Sequence, residues 1–550
     1  VHGICWIKNE THFEVIKLEL TISGIKEREK WESVGVSLPN YDIEAIRENT
    51  KESPEWVHFG AGNIFRGFIG GIADTLMEKG ELSTGIIATD SFDGEIIDRI
   101  YEPFDMLTLS VGLKPDGNSV KKVTAGIADA VKADNDHLDE LLAIASKESL
   151  KMISFTITEK GYACTDISGN TLPFVEEDIT NGPKKPTTAM GIVTSMLYAR
   201  FKAGAAKIAL VSMDNCSQNG KKLRDGVLFV AKKWQKKGFV TEEFVDYISD
   251  EEVVAFPWSM IDKITPRPDD SIASELKELG IENMDPIITA RHTYIAPFVN
   301  AEIPEYLVIE DSFPNGRPPL EDAGVYMTDR DTVNKAEKMK VMTCLNPLHT
   351  ALAITGCLLG YKKISEEMQD EDLKNLVYKL GEEGMPVVIS PGIINPEDFI
   401  KEVLEERLPN PYLPDTPQRI ATDTSQKLAI RFGETIRGYV QKGEEDNMRI
   451  IPFVIAAWLR YLIGVDDEGN KMELSPDPML DVLRGALEDV TLGNTQDDMS
   501  GVNWILSKEE LFGINIFETD DMNGKIKKHF SEMLEGPGAV RRALKKLVSE

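Results

Sequence analysis

From Trp56 to Asn215 short apolar runs alternate with longer stretches of helical periodicity, the pattern left by repeated strand-helix-strand units around a mainly parallel sheet. The strands this predicts lie at 56–59, 85–89, 106–111, 152–157 and 208–212, with helices at 68–78, 137–145 and 189–203. After the turn-rich segment Pro314-Asn315-Gly316-Arg317-Pro318-Pro319 the two-residue alternation fades, and helical periodicity runs to the C-terminus. Amphipathic helices are expected at 425–440, 450–463 and 524–534. The expected architecture is α/β: a Rossmann-like doubly wound sheet with an N-terminal extension over residues 1–325, then a mainly α-helical domain over 326–550.

Charge narrows the partners. The 550 residues carry 61 basic and 92 acidic side chains, a formal charge of −31. Such a chain repels nucleic acid and anionic membranes, and no run of like positive charges offers an exception. The most apolar stretches, 351–360 and 450–459, reach about half the roughly 20 residues a membrane helix needs and read as buried core. The opening VHGICWIKNETHFEV is too polar for a signal peptide, so a cytoplasmic protein is expected. Cys5, Cys164, Cys216, Cys344 and Cys357 are odd in number and form no Cys-x-x-Cys pair. They point to free thiols in a reducing compartment, with no metal site.

Two segments carry chemistry. Gly60-Ala61-Gly62-Asn63-Ile64-Phe65-Arg66-Gly67 follows a predicted strand and opens an apolar helix. Its first two glycines let the backbone turn sharply beside a pyrophosphate, whose charge faces the positive end of the helix. Phe65 stands where the usual fingerprint has a third glycine. The strand before, the helix after and Asp90 closing the next strand lift the motif above a simple tight turn. Asp90 is placed to accept hydrogen bonds from the adenosine ribose and to disfavour a 2′-phosphate, which favours NAD over NADP. Gly60, Gly62, Asn63, Phe65, Arg66 and Asp90 form the candidate cofactor set.

The second segment is Lys340-Val341-Met342-Thr343-Cys344-Leu345-Asn346-Pro347-Leu348-His349, running into an apolar stretch at 350–359. Residue by residue it is ambiguous. A lysine before a helix is usually solvated, Asn346 before Pro347 makes a good helix cap, and a histidine on an apolar face is most often a core residue. With this segment, however, the chain resembles the mannitol dehydrogenase family, the long-chain, zinc-independent polyol dehydrogenases that include fructuronate and tagaturonate reductases. In that family a Lys, then an Asn, then two residues and a His open the helical domain and meet the nicotinamide. Other landmarks stand in the expected order over most of the chain: Pro39-Asn40-Tyr41-Asp42, 156–162, Asp214-Asn215 with Asn219-Gly220, 256–266, 308–311, Gly316-Arg317-Pro318, and Asp415-Thr416-Pro417-Gln418-Arg419 leading to Lys427.

The resemblance implies an NAD-dependent enzyme with Lys340 as acid and base, Asn215 and Asn346 donating to the oxygen at the reacting carbon, and His349 orienting substrate or base. It adds Thr158 and Glu159 to the cofactor set and places Asp262, Arg419 and Lys427 on the substrate. Removing hydride from a secondary alcohol needs a base and donors for the developing alkoxide, and a desolvated lysine supplies a neutral amine.

Two departures stand out. Five residues separate Lys340 from Asn346 where the family has four. One extra residue on an unbroken helix swings a side chain by about 100° unless a bulge absorbs it, so Lys338 is a rival base. Ile261-Asp262-Lys263 also replaces the family's Val-Asp-Arg.

In so acidic a chain a uronate needs a local cationic cluster, with Arg419 and Lys427 as candidates and Arg267 and Arg291 in support. The expected reaction interconverts a keto-uronate and an aldonate, of the fructuronate/mannonate type. A mannitol 2-dehydrogenase or related polyol dehydrogenase is the alternative, and a non-catalytic NAD(H) sensor is the reading from another class. The expected partner is a small sugar acid or polyol, and the oligomeric state stays open.

Overall fold

The computed structural model describes residues 17–166, 168–494 and 499–549, so Cys5 and the opening segment lie outside the described residues. Six parallel strands form the central sheet: β1 (Trp56–Phe59), β2 (Ile86–Asp90), β3 (Ile127–Lys132), β4 (Met152–Phe155), β5 (Ile208–Ser212) and β6 (Val254–Ala255). Their spatial order is β3-β2-β1-β4-β5-β6. This is the dinucleotide-binding order, and the progression of strands reverses between β1 and β4, where the carboxyl ends of the strands leave a crevice. β1, β4 and β5 are buried at every position because helices cover both faces.

One expected strand went elsewhere. The run at 106–111 forms Thr108–Leu113, which pairs antiparallel with Ser119–Thr124 and parallel with Phe298–Glu302 in a separate four-stranded sheet. The third parallel strand is β3, which the apolar pattern missed. It lies at the sheet edge, and the partly exposed Asp129 and Lys132 interrupt its hydrophobic run.

The C-terminal half packs around one long helical run. α1 (Arg330–Met339) passes through a π-helical turn at Lys340–Cys344 into α2 (Asn346–Leu359). The combined span Arg330–Leu359 is long and apolar enough to cross a membrane by length and composition, more than the apolar stretch at 351–360 suggested, and 78% of its most apolar window is buried inside the protein. α3 (Ile450–Leu462) is buried along its whole length and packs on α2 and on α4 (Asp520–Met533). A helix apolar all round belongs in a core.

The helix expected at 425–440 is broken into Thr424–Gln426, Leu428–Arg431 and Gly433–Lys442. At Gly433 a Cβ would come within 2.5 Å of the Phe512 carbonyl, so the chain bends where only glycine fits. That break fixes Lys427 and Arg431 on a short turn of their own.

Candidate active site

The glycine loop leaves β1 at the crevice. Gly60 has φ +111, and a Cβ there would lie 2.2 Å from the Thr156 carbonyl beyond β4, so glycine is required where the two strand ends converge. A Cβ on Gly62 would meet nothing within 4 Å, which leaves room above the loop for a ligand's backbone. Asp90 Oδ2 accepts from the Ala61 N–H at 2.9 Å, and its Oδ1 accepts from Phe92 and Asp93 at 2.8 Å each. A carboxylate offers about four lone-pair sites, so one remains for a ribose hydroxyl. Asn63 Oδ1 is buried with no hydrogen-bond partner, an acceptor of the kind a bound ligand satisfies. These residues fit a dinucleotide.

Two expected members of the cofactor set are turned inward. Phe65 is fully buried and stacks on His58 with ring centroids 4.0 Å apart. Arg66 is 1% exposed and donates to the Ala296 and Pro297 carbonyls at 2.7 Å each. Their side chains brace the loop from below, on the π turn at Phe65–Ile69, which leaves the loop backbone as the part of them that can face a cofactor.

Thr158 adopts φ +63, ψ 160, a region nearly confined to glycine. Asp214 holds it there, accepting from the Ile157 and Thr158 N–H groups at 2.9 Å each and from the Tyr162 hydroxyl. Glu159 is exposed and pairs with Lys222 at 3.0 Å.

Across the crevice, Lys340 is 2% exposed, and its Nζ donates to Asn215 Oδ1 at 2.8 Å and to the Ile261 carbonyl at 2.9 Å. The π turn is what brings it there. The Leu345 N–H bonds to the Lys340 carbonyl at 3.1 Å, an i to i+5 link that absorbs the extra residue between Lys340 and Asn346. Lys338, the rival, is exposed. Asn346 begins α2, and its amide serves no cap. His349, one turn on, lies with Nε2 3.3 Å from Asp415 Oδ2 but makes no hydrogen bond through that nitrogen.

Behind Lys340 sits a closed set of charges that sequence reasoning missed. Arg407 is 2% exposed and forks onto Asp262 through Nη1 and Nη2, the latter at 3.2 Å, and onto Glu302 through Nε and Nη2 at 2.9 Å each. Asp262 Oδ1 lies 3.9 Å from Lys340 Nζ. Asp262 is therefore engaged by Arg407 and correspondingly less available to a substrate hydroxyl than expected.

Burial pushes the Lys340 amine below its usual range. Asp262 pulls it back up, and Arg407 pushes it down again. Burial also opposes ionisation of Asp262, yet Arg407 and then Lys340 hold its carboxyl below the usual range. Nothing in the sequence singles out Arg407, which directly precedes Leu408-Pro409-Asn410-Pro411.

The far wall is also cationic. Arg419 hydrogen-bonds Asp415, and Lys427 donates to the Ile420 and Thr422 carbonyls. Arg431, not singled out by the sequence, donates Nη1 to Thr350 Oγ1. Burial and then Arg431, Arg419, Arg407 and Lys427 push His349 down to about 3, so its imidazole is neutral at working pH. The supporting arginines fall outside this cluster: Arg267 is exposed, and Arg291 stacks over the Phe92 ring at 5.7 Å, just past Asp90. Among the described residues no three His, Cys, Asp or Glu side chains gather as a metal-holding group.

A dinucleotide-type sheet that faces a buried, hydrogen-bonded lysine on a helical half defines the class as a two-part oxidoreductase. Models of the mannitol dehydrogenase Rossmann domain and of the mannitol dehydrogenase C-terminal domain match residues 54–322 and 332–534. The chain belongs to the mannitol dehydrogenase family. D-mannonate oxidoreductase of Thermotoga maritima is 52% identical over 537 residues, covering 96% of this chain and 99% of that one. Among solved structures, a D-sorbitol dehydrogenase in substrate-free form superposes with a TM-score of 0.75 at 26% identity, covering 93% of this chain and 97% of its own. Mannitol 2-dehydrogenase of Pseudomonas fluorescens, solved with NAD and D-mannitol, gives 0.69 at 26% identity and covers 97% and 100%.

Proposed function

We propose that this chain is an NAD-dependent oxidoreductase that interconverts a keto-uronate and the corresponding aldonate, of the fructuronate/mannonate type, with Lys340 as acid and base. The observation that carries the reading is the placement of Lys340 Nζ between two oxygen acceptors. A neutral amine has two N–H groups, and Asn215 Oδ1 and the Ile261 carbonyl accept both. Its lone pair is then free to take the proton of a substrate hydroxyl. As an ammonium the same nitrogen has a third N–H, which points where the lone pair was and can protonate a carbonyl oxygen. One geometry therefore serves both directions.

NAD⁺, when bound, supplies the hydride acceptor. The chain's own residues do the rest. By accepting from Lys340, Asn215 Oδ1 fixes the amide so that its Nδ2 faces outward, and the uncapped Asn346 amide offers a second donor to the developing alkoxide. His349, neutral and beside Asp415, orients the substrate without adding charge.

The likeness to a D-mannonate oxidoreductase and the cationic far wall support a sugar acid over a neutral polyol. A metabolic role of this kind suits the cytoplasm, where the free Cys164, Cys216, Cys344 and Cys357 stay reduced.

The test is NADH-dependent reduction of D-fructuronate and NAD⁺-dependent oxidation of D-mannonate, with D-fructose and D-mannitol as neutral counterparts. Preference for the acids supports the reading, and preference for the neutral pair returns the chain to the polyol dehydrogenases. NADH binding by fluorescence with no turnover of any of the four marks a sensor.

A further inference from the structure

We propose that Arg431, with Lys427 one helical turn before it, forms the pocket that takes the substrate's carboxylate and so sets the preference for a sugar acid over the neutral polyol of the same carbon skeleton. The inference rests on the reading above and assigns the residue that would carry it out.

The argument begins with how arginines are used elsewhere in the molecule. The four fully buried arginines of the described residues all have their guanidinium groups engaged several times over. Arg66 reaches two carbonyls, Arg200 five, Arg407 two carboxylates and Arg460 three carbonyls. Arg200 caps the ends of three segments at once and Arg460 ties α3 to the end of α4, so these groups are plainly structural. Arg431 is also largely buried, but among the described residues it makes a single side-chain hydrogen bond, to the Thr350 hydroxyl, and has no carboxylate within ion-pair distance. Burial alone lowers its pKa to about 10, with no acidic neighbour to offset it. A guanidinium held out of water without an anion is costly, and a site that keeps one is built to receive an anion.

Its surroundings point the same way. Arg431 N–H bonds to the Lys427 carbonyl at 2.9 Å, which places the two side chains four residues apart on one face of their short turn. Burial and then Arg431 lower the Lys427 amine, so each cation feels the other. Asp423 and Asp477 act on Lys427 from outside ion-pair distance, and Asp477 is already bonded to Ser425 and the Met479 N–H. Asp415, the other nearby acid, is taken by Arg419. The cationic pair stays unneutralised inside a chain of charge −31.

The position suits the reaction. Thr350 Oγ1 accepts from Arg431 and donates to the Asn346 carbonyl at 2.9 Å. Thr350 and Asn346 are four residues apart on α2, so the guanidinium sits on the face that carries the Asn346 donor, about one 5.4 Å turn along. An oxygen at the reacting carbon can meet Asn346 while a carboxylate further along the same chain meets Arg431 in a bidentate pair.

The experiment compares wild type, Arg431→Gln and Arg431→Lys with D-fructuronate and D-fructose as substrates, and measures D-mannonate and D-mannitol binding to the NAD⁺ complex by calorimetry. D-mannonate and D-mannitol differ only in a carboxylate for a hydroxymethyl. The proposal expects the ratio of kcat/KM for fructuronate to that for fructose to fall about 100-fold in Arg431→Gln, mostly through KM, with partial recovery in Arg431→Lys. It also expects mannonate affinity to fall while mannitol affinity does not. Equal losses for acid and neutral substrates, or an unchanged ratio in a variant with a native melting temperature, would overturn the assignment and leave the sugar-acid reading standing. A wild type that prefers fructose and mannitol would instead remove the reading itself.

Discussion

Arg407 and Arg431 both bear on His349, yet one is enclosed by two carboxylates and the other has none. At the Arg407 end, Asp262 and Glu302 balance Arg407, so the protonation of Lys340 is decided by small differences among fixed charges. At the Arg431 end the positive charge is uncompensated. Burial raises Arg407's demand for partners and lowers Arg431's pKa, and the difference lies wholly in what stands opposite. A paired buried charge is architecture that tunes a neighbour, whereas an unpaired one marks the place of a ligand.

The largest expected effect is at the nitrogen served by the paired end. Lys340→Met should lower kcat in both directions by about 10³-fold, the scale of a lost general acid-base, while NADH affinity from fluorescence titration stays near wild type. Lys338→Met should remain active, since that side chain is exposed. The opposite outcome would move the base to Lys338 and leave the charge set behind Lys340 without its function.

Stability separates the two arginines next. Arg407→Met strands Asp262 and Glu302 in the interior and should destabilise the protein by about 3–5 kcal/mol in urea denaturation. Arg431→Met strands nothing but a threonine hydroxyl, so its cost should stay below about 1 kcal/mol. If both cost alike, Arg431 has a structural partner and the contrast fails.

The same contrast explains what the sequence could show. The strand-loop-helix around Gly60 and Gly62, with Asp90 after it, was legible because its residues act through local backbone geometry, which leaves a periodic trace. Lys340, Asn215, Asn346 and His349 were legible through family spacing alone, and the extra residue became intelligible only with the π turn that absorbs it. The inward side chains of Phe65 and Arg66 were hidden from the sequence for a related reason. Motif position assigns a residue to a loop but not to one side of it, and the π turn at Phe65–Ile69 sends both side chains inward. Arg407, Glu302 and Arg431 had no local signature. Glu302 and Arg407 meet across 105 positions of chain, and Arg431 is defined by the partner it lacks, which no pattern of residues displays.

The smallest effect tests how the paired end sets Lys340. Asp262→Asn keeps the shape and an acceptor for Arg407 but removes a negative charge 3.9 Å from Nζ. The groups bearing on the amine are then Arg407 with one carboxylate fewer, Glu337 at longer range, and the neutral Asn215 and Ile261 oxygens. Asp262 is the charge that favours the ammonium most, so its loss lowers the amine's pKa further below the usual value. Alcohol oxidation needs the neutral amine and rises with pH through that pKa, so its rising limb should move to lower pH by about one unit. Carbonyl reduction needs the ammonium, so its falling limb should move the same way. Matched pH profiles of kcat/KM for mannonate oxidation and fructuronate reduction read both limbs. A shift toward alkaline pH, or none in either direction, would mean that the charges behind Lys340 hold it in place without setting its proton.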